Sequence, residues 1–119
     1  MVKQKLDNTI IIKELNIEVE KNIHDLGKDF NYISKNIPFG WRLLTIMEII
    51  FLFDKYKSKL QMDKYYEFFE QPSEKNKKQG LAAIRDGNSG LNLDLNWGPS
   101  NANPYLGVRF CRDLKKVKI

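Results

Sequence analysis

The stretch from Ile46 to Tyr56, apolar on nearly every side, sets the strongest condition on how this chain folds. Thr45-Ile46-Met47-Glu48 opens it with a capping box. In that arrangement the threonine hydroxyl accepts from the N–H three residues on, and the glutamate reaches back to the threonine N–H. At helical period Ile46, Met47, Ile49, Ile50, Phe51, Leu52, Phe53 and Tyr56 leave almost no polar face. A helix of that kind, expected to run to about Lys57, belongs among other elements. The rest of the chain has to cover it.

There is enough chain to do so once. With 119 residues, 42% of them hydrophobic and 29% charged, residues 1–119 are expected to form one domain, the composition being too apolar for a disordered chain. Aromatic residues make up 12%, and each large ring can bury roughly 150–250 Å² of a small core.

The covering elements are legible in part. From Thr9 to Glu20 an isoleucine triplet passes into alternation, with Leu15, Ile17 and Val19 against Glu14, Asn16, Glu18 and Glu20. A period of two with β-branched residues predicts one or two strands with a solvated face. Leu26, Phe30, Ile33 and Ile37 then recur at helical spacing, and Pro38 ends that amphipathic helix near Asn36. Residues Phe39 to Leu44 form a short extended link.

Beyond the apolar helix, Asp63–Glu70 reads as a short helix closed by Gln71-Pro72, and Ser73–Gln79 as a charged loop. Leu81–Ile84 is a small apolar strand. Leu91, Leu93, Leu95 and Trp97 alternate with polar residues on a second, and Tyr105–Leu114 is the last, with Leu106, Val108 and Phe110 facing one way. The expected fold class is α+β, with two helices packed on a small, mainly antiparallel sheet and a large share of loop.

Several chemistries are excluded. The single cysteine, Cys111, rules out an intramolecular disulfide and reads as a buried strand thiol. With a single histidine besides, a zinc site of the usual donors is ruled out. Cys-His or Ser-His catalysis would depend on His24, which reads as a surface or capping residue. No Gly-rich phosphate loop occurs. Asp86-Gly87-Asn88-Ser89-Gly90 has the look of a calcium loop, but the acid needed at its twelfth position falls at Trp97, so a plain turn is expected. The reading is a non-enzyme without cofactor or metal. Met1–Asn8 carries basic residues but no apolar core follows, and no apolar run is long enough to span a membrane. A cytoplasmic protein is expected.

A concentrated polar and aromatic run remains. Asn92, Asp94, Asn96, Trp97, Ser100, Asn101, Asn103 and Tyr105 combine adaptable hydrogen bonding with rigid rings, as antibody paratopes do. The competing reading makes the asparagines turn formers and places Trp97 in the core. The ligand-binding candidates are Asp94, Asn96, Ser100, Asn101, Asn103 and Tyr105, facing a protein or a small molecule. Two other surfaces compete. The net charge of +5 has its clearest bias in the Lys75–Lys78 loop and in Lys115, Lys116 and Lys118. They would serve a small nucleic-acid-binding or inhibitor protein of a mobile element. Tyr65, Tyr66, Phe68 and Phe69 cannot all face inward on one helical turn, so they offer a patch for a homodimer or a larger partner.

Two segments resemble a known family. Gly40-Trp41-Arg42-Leu43-Leu44-Thr45 followed by Ile46-Met47-Glu48-Ile49, and Val108-Arg109-Phe110-Cys111-Arg112 on the closing strand, are similar to the C-type lectin-like fold. The closer similarity is to its bacterial "major paralogous domain" branch, related in architecture to formylglycine-generating enzymes. Leu44 stands where that family has proline, and the Trp-Ser-Ser element is missing. The motifs span Asn36 to Leu114, about two-thirds of the chain. The resemblance implies a lectin-like fold with its ligand face in the 86–105 region. It does not carry over the oxidation of a substrate cysteine, which takes a cysteine pair. It does not imply calcium-dependent sugar binding either, since Glu-Pro-Asn, Gln-Pro-Asp and Trp-Asn-Asp are all absent.

Overall fold

A computed structural model of the chain describes residues 6, 8–62, 65–70, 81–84, 91–94, 100 and 102–114, with side chains for all but 81–84 and 91–94. The strands are β1 (Thr9–Ile12), β2 (Ile17–Glu20), β3 (Arg42–Leu43), β4 (Tyr66–Phe68), β5 (Leu81–Ile84), β6 (Leu91–Asp94), β7 (Leu106–Gly107) and β8 (Phe110–Asp113). The helices α1 (Phe30–Lys35) and α2 (Ile46–Tyr56) lie either side of β3 in the chain. The fold class is α+β, as expected, but the strands form two four-stranded sheets instead of one.

The first sheet runs β1-β2-β8-β3, every pair antiparallel. Its hairpin follows from the isoleucine pattern. Ile12, Ile17 and Val19 are fully buried while Ile11 is exposed, which is the alternation of a strand with one solvated face. Leu15, expected to lead the inward row, sits instead in a 3-10 turn over Lys13–Leu15 that ends at Asn16 with φ 53. Asparagine tolerates that left-handed backbone better than most residues. Cys111 is buried in β8, where burial pushes its thiol pKa up and leaves it inert.

The second sheet runs β6-β5-β4-β7, antiparallel except for the parallel pair β4–β7. The expected last strand is thus divided. Leu106–Gly107 joins one sheet, Phe110–Asp113 joins the other, and Val108–Arg109 links them. Of the C-terminal strands, β5 and β6 pair with each other, whereas β8 pairs with β2 and β3.

Helix α2 has the expected extent, whereas α1 is shorter than its apolar spacing predicts. The capping box forms: Thr45 Oγ1 accepts the Glu48 N–H at 3.2 Å and Glu48 Oε1 accepts the Thr45 N–H at 2.8 Å. Ile49 and Leu52 are fully buried, yet Met47 is 70% exposed, so α2 buries one side and not its whole circumference. A core this small has too little chain to wrap a helix completely. Helix α1 is only six residues long and leaves Leu26 outside it.

The predicted helix over 63–70 is the clearest correction. Tyr66–Phe68 is extended, and Glu67, Phe68 and Phe69 are all fully buried. Consecutive residues of a strand point to opposite faces, so this strand is covered on both. Aromatic residues suit a strand, and pairing with β5 and β7 on either side decides the matter. The patch proposed for a homodimer is therefore not a surface patch: Phe68 and Phe69 are core residues, and Tyr65 and Tyr66 are half-buried.

Candidate binding site

The polar run at the C-terminal end is only partly one surface. Asn103 makes a tight turn: its Oδ1 accepts the Tyr105 N–H at 2.8 Å and its carbonyl accepts the Leu106 N–H at 3.0 Å. Pro104 pre-sets the backbone at the next position, as such turns favour. The turn is tied down on both sides. The Tyr105 carbonyl accepts the Tyr66 N–H at 2.8 Å, and the Leu106 carbonyl accepts the Gly27 N–H at 3.2 Å. Leu106 is buried beneath, while Tyr105 is 63% exposed.

The neighbouring segment completes a rim. Gly27 has φ +83, a conformation that favours glycine, and a Cβ built on it would lie 4.0 Å from the Pro104 Cα. Leu26 beside it is exposed. One residue further, the Lys28 ammonium sits 5.0 Å from the ring centroid of exposed Tyr32 on α1. Asp29 caps α1 by accepting the Tyr32 N–H at 2.8 Å.

Of the six residues singled out in the sequence, Ser100 and Tyr105 are exposed and Asn103 is half-buried in its turn. Asp94 lies at the end of β6, paired with Leu81. Strands β6 and β7 are the opposite edges of the sheet, about 14 Å apart at the usual strand spacing, so Asp94 and the Asn103–Tyr105 turn are not neighbours across the sheet. Asn96, Trp97 and Asn101 lie outside the described residues, as do the Asp86–Gly90 turn, the Lys75–Lys78 loop and the lysines of the tail.

Sequence reasoning missed two charged arrangements. His24 bridges Glu20 and Asp25, which stand four residues before it and one after, a spacing that holds a local signal. Glu67 and Arg109 form a buried pair with no such signal, being 42 positions apart. A third network joins strand to helix: Arg42 donates to both oxygens of Glu48 at 2.8 Å and to Asp113 at 2.8 Å. Burial alone would raise the pKa of Glu48, but Arg42 and the Thr45 N–H outweigh it and hold the carboxyl below its ordinary value. Arg112 lies over the Trp41 ring at 5.2 Å, and Trp41 itself is buried.

The described residues line two hollows of note. One of about 540 Å³ is lined by a single consecutive stretch, Phe53 to Lys59, and converges no polar groups from elsewhere in the fold. The other, about 320 Å³, lies between Leu6, Asn8, Glu20, Asn22 and His24. Among the described residues no group of three or more His, Cys, Asp and Glu side chains is placed to hold a metal ion. No described helix is long and apolar enough to cross a membrane. In comparisons with known proteins, no family model, curated protein or solved structure matches the chain.

Proposed function

We propose that this chain is a non-catalytic binding module with a C-type lectin-like fold, and that it engages a protein or small ligand through the rim formed by Asn103–Tyr105 and Leu26–Lys28. The observation that carries the reading is the setting of Tyr105. An aromatic ring 63% exposed is held on a turn closed by both acceptors of Asn103 and anchored to β4. A ring presented on a preorganised backbone loses little entropy on binding, which is how tyrosine serves recognition surfaces. The lectin-like reading draws its support from Trp41 in the core, the capped helix that follows it, and β8 at the centre of its sheet.

The test is a pair of substitutions read two ways. Immobilised wild-type chain retains a partner from its native host, and Tyr105→Ala with Asn103→Ala abolishes that retention. Tyr105→Ala alone leaves the melting temperature nearly unchanged, because an exposed side chain away from the core contributes within about 0.5 kcal/mol. Retention undiminished in the double variant would remove the rim from the proposal.

A further inference from the structure

His24 is held between two carboxylates close to it in the chain. Its Nε2 lies 2.7 Å from Glu20 Oε1 and its Nδ1 lies 3.0 Å from Asp25 Oδ2. An ionised carboxylate has no proton to give, so each ring nitrogen must carry one, and only the imidazolium carries two. Glu20 Oε1 also accepts the Phe110 N–H at 2.8 Å, so the carboxylate cannot swing away without leaving that donor unpaired. The ring meets Phe110 edge-on at 5.2 Å.

The backbone of the same residue is docked to the link between the two sheets. His24 and Val108 exchange hydrogen bonds of 2.9 and 3.0 Å, and Gly27 adds one to Leu106. Asp25, between them, has φ 53, a backbone conformation uncommon for a residue with a side chain. The turn therefore depends on the contacts that hold it.

We propose that the His24 imidazolium is a pH-sensitive latch. Protonated, it holds the Asp25–Gly27 turn against Leu106–Val108. Deprotonated, it sets a ring lone pair against a carboxylate, and the turn lifts from the Asn103–Leu106 turn that it braces. The consequence for ligand binding rests on the rim reading above; the latch itself does not.

Among the described residues, the charged groups that act on the ring are Glu20 from β2 and Asp25 from the turn; the Lys21 carbonyl beside Glu20 is held by Arg109 from the β7–β8 link. Arg109 reaches the Lys21 carbonyl at 3.1 Å and is matched by Glu67 from β4. The Glu20 hydrogen bond, working against the cost of burial, holds the ring pKa above its ordinary 6.5. The sign follows: a raised folded-state value gives a contribution fully present below 6.5 and lost as pH rises through the raised value.

The experiment follows amide exchange of His24, Gly27 and Val108 in the full chain by NMR, with the His24 ring protons as an internal titration. The range runs from about pH 5 to about pH 9, where a histidine titrates. Protection factors at those amides are expected to fall about tenfold through the ring's own midpoint, above 6.5, while the Leu52 amide keeps its protection. His24→Gln is expected to show low protection at all three with no bend. Asp25→Asn, the second variant should the first not fold, is expected to lower the ring midpoint and carry the protection midpoint down with it. Constant protection through the ring titration would overturn the latch. So would a bend that survives in His24→Gln, or a protection midpoint that stays put in Asp25→Asn. Since no ligand enters these readouts, failure of the rim and failure of the latch are told apart.

Discussion

Glu67 on β4 and Arg109 on the β7–β8 link, 42 positions apart, meet with both carboxylate oxygens 3.1 Å from the guanidinium Nε and neither side chain exposed. The remaining guanidinium donors reach the Leu60 carbonyl at 2.8 Å and the Lys21 carbonyl at 3.1 Å. One side chain thus ties together β4, the turn after α2 and the end of β2. Burial pushes the Glu67 carboxyl up and the guanidinium opposes it. Because arginine keeps its proton, the ionised pair is the form that leaves no uncompensated charge inside.

Removing one partner is therefore expected to cost far more than removing both. Glu67→Ala should destabilise the fold by about 3–5 kcal/mol, the usual loss for stranding a buried charge. Glu67→Met with Arg109→Met should recover most of it. Urea unfolding of Glu67→Met, of Arg109→Met and of the double variant reads the difference, and additive losses would show that the charges are not coupled.

Gly107 sits where the two sheets and the His24 segment converge. A Cβ there would lie 2.4 Å from the His24 carbonyl oxygen and 2.6 Å from the Ile23 Cγ2. The first of these is backbone, held by its bond from the Val108 N–H, so it cannot yield cheaply. Gly107→Ala should cost about 1–3 kcal/mol, the range for overpacking, and should weaken protection of the His24 and Val108 amides in hydrogen exchange. An alanine variant with wild-type stability would mean that the segment moves freely.

The cap of α2 makes a prediction about acid. Thr45→Ala should cost about 1 kcal/mol in thermal unfolding through loss of the helix cap. Glu48 has its folded-state pKa below the ordinary 4.5, so its contribution is in place above the unfolded value and is lost as pH falls through the folded one. Stability of the wild type should thus decline below about pH 4.5, and Glu48→Gln should flatten that decline while lowering stability at neutral pH. An unchanged acid limb in Glu48→Gln would remove Glu48 from the account.

What the amino-acid sequence by itself determined is whatever depends on neighbours in the chain. The Thr45–Glu48 cap, the inward row of Ile17 and Val19, the end of α1 before Pro38, and the buried place of Cys111 all follow from local patterns. The tertiary structure decided the rest. Tyr66–Phe68 is a strand because β5 and β7 lie on its two edges, although its own residues read as a helical turn. Arg109, out of step with the apolar row of Leu106, Val108 and Phe110, is buried because that segment divides between two sheets and Glu67 lies inside to pair with it. Asp94 and Tyr105 share a stretch of sequence yet belong to opposite ends of a sheet, since strand order is set by pairing partners and not by distance along the chain. Short-range periodicity reports which face of an element is apolar; which element comes to lie against that face is a property of the assembled core.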